Sequence, residues 1–259
     1  MNIKFFKYQG TGNDFLMLDG RNGLNLNNSQ IAFLCDRHFG VGSDGLLIID
    51  NYNDADFRMI FFNPDGNRAT FCGNGARCIV KFAKQLGLIN HKANFIADDG
   101  MHYAEIVDNN LVKLKMTDVS AIKYFDSLVY LNTGTHHVMK FVDNVDEIDL
   151  IAQARPIRYS LDFKPAGTNV NFVQKINDET LKIRTYEKGV EDETLSCGTG
   201  TVASALAFFL QYQLKTSSLK VNTKGGGLKV DFIYTANNSF TDVYLTGPAE
   251  YVFAGNIEI

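Results

Sequence analysis

The chain has 259 residues, a formal net charge of -4 and a hydrophobic content of 45%, which is ordinary for a globular protein that buries a core. Its length favours two domains, because domains most often hold roughly 100–150 residues. The negative charge provides no broad positive field, so nucleic acid and anionic membranes are not expected partners. A small molecule is the expected partner.

The N-terminal residues lack the basic stretch and apolar run of a signal peptide. The longest apolar run, Val202 to Leu210, is far shorter than the roughly 20 residues of a membrane span. We therefore expect a cytoplasmic protein. The four cysteines, which form no CxxC pair, are expected to be reduced thiols rather than disulfides or metal ligands; they are Cys35, Cys72, Cys78 and Cys197.

Hydrophobic periodicity and turn residues predict the elements of the first half. A Pro64-Asp65-Gly66 turn precedes the segment Phe71-Cys72-Gly73-Asn74-Gly75. The predicted elements are, in order, a helix near Ser29 to His38, strands at Leu46 to Asp50 and Phe57 to Asn63, a helix at Ala76 to Leu86, and a hairpin over Asn94 to Met116.

The second half repeats this order around Ser196-Cys197-Gly198-Thr199-Gly200. Each half thus has one Cys-Gly-x-Gly that opens a helix, and we infer an internal duplication from the shared order. The predicted elements are a helix near Glu147 to Ala154, strands at Val170 to Ile176 and Leu181 to Glu187, a helix at about Thr201 to Gln213, and a hairpin over Leu219 to Tyr234 that turns at Gly225-Gly226-Gly227.

Both helices that follow the cysteines are apolar around much of their circumference, so each must be surrounded by other structure. The predicted fold class is α+β, with two pseudo-symmetric lobes, each a mixed, mostly antiparallel sheet wrapped around a central buried helix. The expected N-terminal lobe is 1–118, completed by 248–259 after a last hairpin at Gly247-Pro248. The expected C-terminal lobe is 119–247.

A cysteine just before a helix lies beside unpaired backbone N–H groups and the positive end of the helix dipole, which favour the thiolate. The glycines Gly73 and Gly198 allow a ligand to approach the backbone closely, and helix N-termini commonly hold carboxylates. If the two halves face each other, one sulfur lies on each side of an α-carbon. Cys72 and Cys197 are then the two bases of an amino-acid epimerase, one removing and one delivering a proton.

A simpler interpretation of one such motif is a tight entry into a helix with a buried cysteine. We accept that interpretation for Cys35 and Cys78, which occupy apolar helical positions. Two matched copies favour the chemical interpretation for Cys72 and Cys197.

Several motifs, in order and almost from end to end, resemble the diaminopimelate epimerase family, whose members interconvert LL- and meso-2,6-diaminopimelate. Such a set is far more specific than a lone glycine-rich loop. The motifs are Gly12-Asn13-Asp14-Phe15, Asn63-Pro64-Asp65-Gly66, Phe71-Cys72-Gly73-Asn74-Gly75-Ala76-Arg77-Cys78, Gly167-Thr168-Asn169-Val170-Asn171, and Arg184-Thr185-Tyr186-Glu187-Lys188-Gly189 leading to Cys197-Gly198-Thr199-Gly200.

The resemblance implies that Cys197 is the base toward the LL substrate and Cys72 the acid, with no cofactor and no metal, in a homodimer that serves lysine and peptidoglycan precursor biosynthesis. It implies that His137 and Glu187 tune the cysteines. It also implies a substrate-binding set in which backbone groups hold the α-carboxylate and side chains hold the remainder: Gly73, Asn74, Gly198 and Thr199, then Asn13, Asn63, Asn169, Glu187 and Lys188.

These positions have structural alternatives. Asn13 is also typical of a turn, and Glu187 beside Lys188 is also typical of a solvated charge pair at a strand end. Strand alternation lets only one of His136 and His137 face inward. The chain departs from the family pattern at Lys188, where Arg is commoner and grips a carboxylate through two bonds, and at Thr135 and His136.

Two other functions compete with the epimerase interpretation. A proline or hydroxyproline racemase needs the same cysteine pair with a smaller pocket, and the segments around Asn13 and Thr185 favour diaminopimelate instead. A non-catalytic amino-acid-binding protein has no need for matched thiols at both helix starts.

Overall fold

The structure is a computed structural model that describes residues 1–235 and 238–259. The chain packs as two compact units, Met1–Leu114 with Gly247–Ile259 and Lys115–Thr246, which we call the N-lobe and the C-lobe. Among the described residues, no helix combines the length and apolar character needed to cross a membrane.

The N-lobe is a mixed sheet with one helix against each face. β2 pairs in parallel with β3, β4 pairs in parallel with β6, and the remaining pairings, among them β1 with β18, are antiparallel. Its elements are β1 (Asn2–Gly10), β2 (Asn13–Asp19), α1 (Asn28–Cys35), β3 (Gly45–Asp50), β4 (Phe57–Phe62), β5 (Arg68–Ala69), α2 (Gly73–Gln85), β6 (Lys92–Ala97), β7 (Gly100–Ile106), β8 (Leu111–Lys115) and β18 (Glu250–Glu258).

The C-lobe repeats this arrangement. β11 pairs in parallel with β12 and β13 in parallel with β15, and the other pairs are antiparallel. Its elements are β9 (Ile122–Phe125), β10 (Leu128–Asn132), β11 (His136–Phe141), α3 (Leu150–Arg158), a 3-10 turn (Leu161–Phe163), β12 (Asn169–Asn177), β13 (Thr180–Glu187), β14 (Asp192–Thr194), α4 (Gly198–Gln211), β15 (Ser218–Thr223), β16 (Gly226–Thr235) and β17 (Ser239–Pro248).

The two lobes correspond element by element. The parallel pair β2–β3 matches β11–β12, the parallel pair β4–β6 matches β13–β15, and α1 and α2 match α3 and α4. This order confirms the predicted α+β fold with two pseudo-symmetric, mixed-sheet lobes.

The second helix of each lobe is its central helix. Ten of the 13 residues of α2 are buried, and the helix packs against β1, β2, β3, β4 and β7. Eleven of the 14 residues of α4 are buried, and that helix packs against β10 to β13, β15 and β16. Such burial explains the apolar sequence around both helices, since neither presents a broad face to water.

Strand alternation in the C-lobe decides which side chains reach α4. Phe172 on β12 and Tyr186 on β13 pack in one buried cluster with Leu150 and Ala154 of α3. Their chain neighbours Asn171 and Thr185 point to the opposite face, because successive strand side chains alternate. Polar residues therefore lie against the start of α4.

Several predicted boundaries were wrong. α2 and α4 begin at Gly73 and Gly198, three residues before the predicted starts, because glycine in a first turn costs less than its low helix propensity suggests. α1 ends at Cys35 rather than His38, since the Asp36 carboxylate accepts the backbone N–H groups of His38 and Phe39 and forms a turn.

Two further elements differ from expectation. The segment predicted as one hairpin after α2 is three strands, β6 to β8. α3 begins later than predicted, because the Asp149 side chain caps it by accepting the N–H of Ala152 at 3.0 Å, and it continues past Pro156.

Candidate active site

Each lobe places one cysteine at the N-cap of its central helix. Cys72 has φ -141° and ψ 119°, and Cys197 has φ -118° and ψ 116°, so both are extended residues at the point where the helix begins. Neither sulfur caps its own helix. Neither cysteine forms a disulfide bond.

The helical hydrogen bonds start four residues after the extended cap in both lobes. The first such bond of α2 runs from the Ala76 N–H to the Cys72 carbonyl at 2.8 Å, and that of α4 runs from the Thr201 N–H to the Cys197 carbonyl at 2.9 Å. The N–H groups of Gly73, Asn74, Gly198 and Thr199 precede these bonds and lie outside the helical ladder. They give each cysteine the anion-binding surroundings of a helix N-terminus.

Asn13 joins Cys72 to Asn74 in the N-lobe. Its side-chain carbonyl accepts from the Cys72 Sγ at 3.8 Å and from the Asn74 Nδ2 at 3.2 Å. Its own Nδ2 donates to Asp44 at 2.8 Å. Asn13 therefore contacts two other predicted site residues of this lobe, Cys72 and Asn74.

Arg77 lies directly behind this group and is completely buried. Its guanidinium donates to the Asn74 Oδ1 at 3.0 Å, to the Thr11 hydroxyl at 3.4 Å and to the Pro248 carbonyl at 3.3 Å. Burial lowers the pKa of Arg77 from its ordinary value, while the nearby Cys78 and Cys72 act in the opposite direction. A buried cation thus supports the amide that contacts Asn13.

A charged cluster holds the start of β2, where Asn13 lies. Arg37 donates to both Asp14 and Asp44 at 2.7 Å, and Lys7 also pairs with Asp14. Burial by itself raises the pKa of Asp14, but the hydrogen bonds from Arg37 and Lys7 outweigh it and lower that pKa to about 2. The Asp14 carboxylate therefore stays ionised, and its ion pairs with Arg37 and Lys7 fix the turn that presents Asn13.

Cys197 has a hydroxyl group and an imidazole beside it. The Cys197 Sγ lies 3.5 Å from the Thr199 Oγ1. That hydroxyl lies 2.9 Å from the His137 Nε2 and 3.0 Å from the Thr135 Oγ1. His137 therefore reaches the sulfur through a threonine hydroxyl.

His137 and His136 occupy opposite sides of β11. His137 is 0% exposed, whereas His136 is half-buried and its ring stacks on Tyr130. Burial, followed by electrostatic interactions with His136 and Lys188, lowers the pKa of His137 to about 3. The imidazole beside Thr199 is therefore neutral at neutral pH.

Asn169 and Lys188 are held together at the end of β13. The backbone N–H of Lys188 donates to the Asn169 Oδ1 at 2.8 Å, and the Asn169 Nδ2 donates to the His136 carbonyl at 3.0 Å. The Lys188 Nζ donates to the Ala166 carbonyl at 3.1 Å. Glu187 is the last residue of the strand and is half-buried, so Lys188 lies past the point where strand alternation applies.

Asn63 is placed differently from the other predicted side chains. It is exposed in the turn after β4, where its backbone N–H donates to the Asn67 carbonyl at 2.9 Å and its carbonyl accepts from Gly66. Within residues 1–235 and 238–259, no three His, Cys, Asp or Glu side chains cluster as metal ligands.

Sequence reasoning missed four residues that support the cysteines. Arg77 and Asp44 contact Asn74 and Asn13, and Asn171 and Thr185 lie behind His137. A polar residue at a strand position that faces a buried helix was the available signal for Asn171 and Thr185. Arg77 offered a similar signal, being the only charged residue in the first two turns of a buried helix.

The chain matches the family model described as diaminopimelate epimerase over residues 5–122 and 129–252. A diaminopimelate epimerase of Flavobacterium psychrophilum is 46% identical over 257 residues, covering 98% of this chain and 100% of that protein. One from Chlorobaculum tepidum is 39% identical, covering 96% and 99%. These similarities extend over both lobes.

Solved structures share the fold at low sequence identity. A phenazine biosynthesis protein of the PhzF family from Bacillus anthracis superimposes with a TM-score of 0.79 at 16% identity, covering 100% of both chains. A hydroxyproline epimerase from Agrobacterium vitis superimposes with a TM-score of 0.68 at 15% identity, covering 99% of this chain and 92% of that one. At such identities the likeness concerns the fold.

Proposed function

The chain belongs to the diaminopimelate epimerase family, and we propose that it interconverts LL- and meso-2,6-diaminopimelate by proton transfer through Cys72 and Cys197. It is an isomerase of the amino-acid epimerase class. The observation that carries the mechanism is the matched position of the two thiols. Each is the extended N-cap of a buried helix, one per lobe.

The proposed reaction begins with one cysteine as thiolate and the other as thiol. The thiolate removes the α-proton, and the thiol donates its proton to the opposite face of the resulting carbanion. Cys197 acts as the base toward the LL isomer and Cys72 as the base toward the meso isomer. After each turnover the protonation states of the two sulfurs are exchanged, so the return reaction restores the first state.

The α-carboxylate must be held while this exchange takes place. The N–H groups of Gly73, Asn74, Gly198 and Thr199 are suited to this because they precede the helical ladders and carry the positive ends of the helix dipoles. Fixed donors of this kind also stabilise the negative charge that develops as the proton leaves. The proposal therefore needs no cofactor and no metal.

Recognition of the distal end of the substrate is assigned to Asn13, Asn63, Asn169, Glu187 and Lys188. Asn13 and Asn169 are already oriented by hydrogen bonds to Asp44 and to the His136 carbonyl. Lys188 offers a single ammonium group, so it contacts a carboxylate as a point charge rather than through a two-bond grip. This set separates diaminopimelate from a smaller amino acid.

The proposal is tested by incubating the reduced protein with LL-diaminopimelate in deuterated water and following stereochemistry and α-deuterium. Inversion accompanied by deuterium uptake is expected, and it should survive EDTA and hydroxylamine, which remove metals and carbonyl cofactors. Inversion of proline or hydroxyproline with diaminopimelate unchanged would overturn the substrate assignment.

Replacing the cysteines tests the chemistry. Cys72→Ala and Cys197→Ala should each lower inversion by about 10³-fold or more, within the range for loss of a positioned acid or base. Cys35→Ala and Cys78→Ala are matched controls, since both thiols are buried away from the helix starts. Equal loss in all four variants would contradict a special role for the pair.

The family resemblance adds a physiological context to the proposal. The product serves lysine and peptidoglycan precursor biosynthesis in the cytoplasm, and the protein acts as a homodimer without nucleic acid. Sedimentation velocity tests the assembly, with a single species of twice the chain mass as the expected result.

A further inference from the structure

Asn171 is buried in the middle of β12, with 0% of its surface exposed. Its Nδ2 lies 3.1 Å from the His137 Nδ1, 3.2 Å from the Val138 carbonyl oxygen and 3.9 Å from the Met139 sulfur. Its Oδ1 accepts from the Thr185 hydroxyl at 2.9 Å. The amide therefore makes contacts on both of its sides.

These contacts fix which end of the amide faces His137. The Val138 carbonyl can only accept a hydrogen bond, so the group beside it must be the NH₂ end of Asn171. The Thr185 hydroxyl satisfies the oxygen at the other end. The second hydrogen of the NH₂ group then points at the His137 Nδ1, which must accept it.

An Nδ1 that accepts cannot carry a proton. The buried, neutral imidazole of His137 therefore carries its proton on Nε2. That nitrogen lies 2.8 Å from the Thr135 Oγ1 and 2.9 Å from the Thr199 Oγ1, and its N–H donates to this pair of hydroxyls. Because the His137 N–H donates to the Thr135 and Thr199 hydroxyls, one of the two hydroxyl protons is not needed within this group. That proton can be donated to another acceptor.

The remaining direction leads to the catalytic sulfur. The Thr135 and Thr199 oxygens are 3.0 Å apart, and the Thr199 Oγ1 is 3.5 Å from the Cys197 Sγ. A hydroxyl that accepts from its neighbours and donates to sulfur stabilises a thiolate. The opposite His137 tautomer has a bare Nε2 that competes with the sulfur for the same hydroxyl proton.

We propose that Asn171 is a positioning residue that holds His137 in its Nε2-protonated form and thereby directs the Thr199 hydroxyl proton to Cys197. The inference rests on the proposed role of Cys197 as a base. It also explains why the residue two positions after Asn169 is a fully buried amide rather than an apolar strand residue.

The tautomer is measured first in the unaltered protein. Long-range proton–nitrogen NMR correlation on ¹⁵N-histidine-labelled protein distinguishes the two forms, and the His137 signals are those lost in His137→Gln. A protonated Nε2 with a bare Nδ1 is expected. A protonated Nδ1, or an imidazolium at neutral pH, overturns the proposal.

Asn171→Asp then reverses the donor. Aspartate has nearly the same shape but only accepts, so the His137 proton should move to Nδ1. Asn222→Asp, an exposed change on β15 of the same lobe, should leave the His137 spectrum unaltered. An unchanged tautomer in folded Asn171→Asp overturns the proposal.

The effect on sulfur is measured as the pH profile of Cys197 alkylation by iodoacetamide, resolved by mass spectrometry. Asn171→Asp should raise its midpoint by about one unit, the size expected for loss of one hydrogen bond to a charged sulfur. In a Thr199→Val background, Asn171→Asp should add nothing further. A full shift in that background identifies simple charge repulsion instead and overturns the relay through Thr199.

These measurements need no turnover. If the protein failed to invert diaminopimelate, the proposed function would fall while the tautomer and the alkylation profile could still be read. If inversion were found with His137 protonated on Nδ1, only the role of Asn171 would fall.

Discussion

Cys72 and Cys197 have almost the same backbone geometry and quite different support. Cys72 contacts Asn13, and behind Asn13 and Asn74 lies the buried cation Arg77. Cys197 contacts Thr199, and behind Thr199 lies the neutral imidazole of His137. The two lobes thus share the helix start, while each has its own polar residues around the thiol.

The backbone and the side chains of the site have different tasks. The helix N-terminus supplies donors and a dipole in both lobes, and it depends only on the backbone. The groups behind each sulfur differ in charge and in hydrogen-bond direction, and they depend on side chains. We therefore expect the two cysteines to respond differently to acid, to crowding at the helix start and to loss of one charge.

The largest expected difference is in acid. Burial lowers the pKa of His137 in the folded protein to about 3. Between about pH 6.5 and pH 3, the imidazole is therefore protonated in the unfolded chain and neutral in the folded chain. The free energy of unfolding should fall by up to about 1.4 kcal/mol per pH unit, and by roughly 2 kcal/mol in total between pH 6.5 and 4.5. Urea unfolding of the intact protein at several pH values measures this.

His137→Gln removes the titrating group and is the matched variant. Its free energy of unfolding should be lower at pH 7 but should change less between pH 6.5 and 4.5 than that of the unaltered protein. The same slope in both proteins would show that His137 does not control the acid response.

The next largest effect should come from the fourth residue of each Cys-Gly-x-Gly. A Cβ added at Gly200 lies 2.6 Å from the Asn171 Oδ1 and 3.1 Å from the His137 Cε1, whereas a Cβ at Gly75 lies 3.2 Å from a terminal methyl of Leu47. Gly200→Ala should therefore cost about 2 kcal/mol more than Gly75→Ala, since overpacking typically costs 1–3 kcal/mol.

Thermal unfolding measures this pair of variants, and inversion kinetics add a second comparison. Gly200→Ala should also slow turnover, because it displaces the residues behind Cys197. If Gly75→Ala proved the more damaging, the helix start of the N-lobe would be the less tolerant of the two.

A smaller effect is expected from removing the cation behind Cys72. Arg77→Met should raise the midpoint of Cys72 alkylation by about one pH unit or less, because a nearby positive charge favours the thiolate, and it should leave Cys197 unaffected. Arg58→Met, which removes a half-exposed arginine paired with Asp98, controls for loss of one charge from the same lobe. Equal shifts in both variants would assign the effect to net charge.

The smallest effect is expected at the other two thiols. Burial raises the pKa of Cys78 to about 12 and also raises that of Cys35, so both remain protonated at pH 8. Iodoacetamide should label Cys72 and Cys197 well before these two. Early labelling of Cys78 in folded protein would contradict its burial within α2.

The order of elements and the importance of Cys72 and Cys197 could be predicted from the chain. Apolar periodicity identified the central helices, and the repeated Cys-Gly-x-Gly located their starts to within three residues. Asn171, Thr185 and Arg77 were not predicted as site residues, because a single polar residue within an apolar element does not show which side chain it meets. His137 was predicted to tune a cysteine, but its route through Thr199 was not.

The sequence by itself determined the two lobes, the two buried helices and the thiol at each helix start, because these follow from local hydrophobic period and from glycine next to cysteine. Only the tertiary structure decided what lies behind each sulfur. The Asn171 amide, the His137 ring and the Thr199 hydroxyl come from β12, β11 and α4, and their hydrogen-bond directions exist only once those elements are packed together.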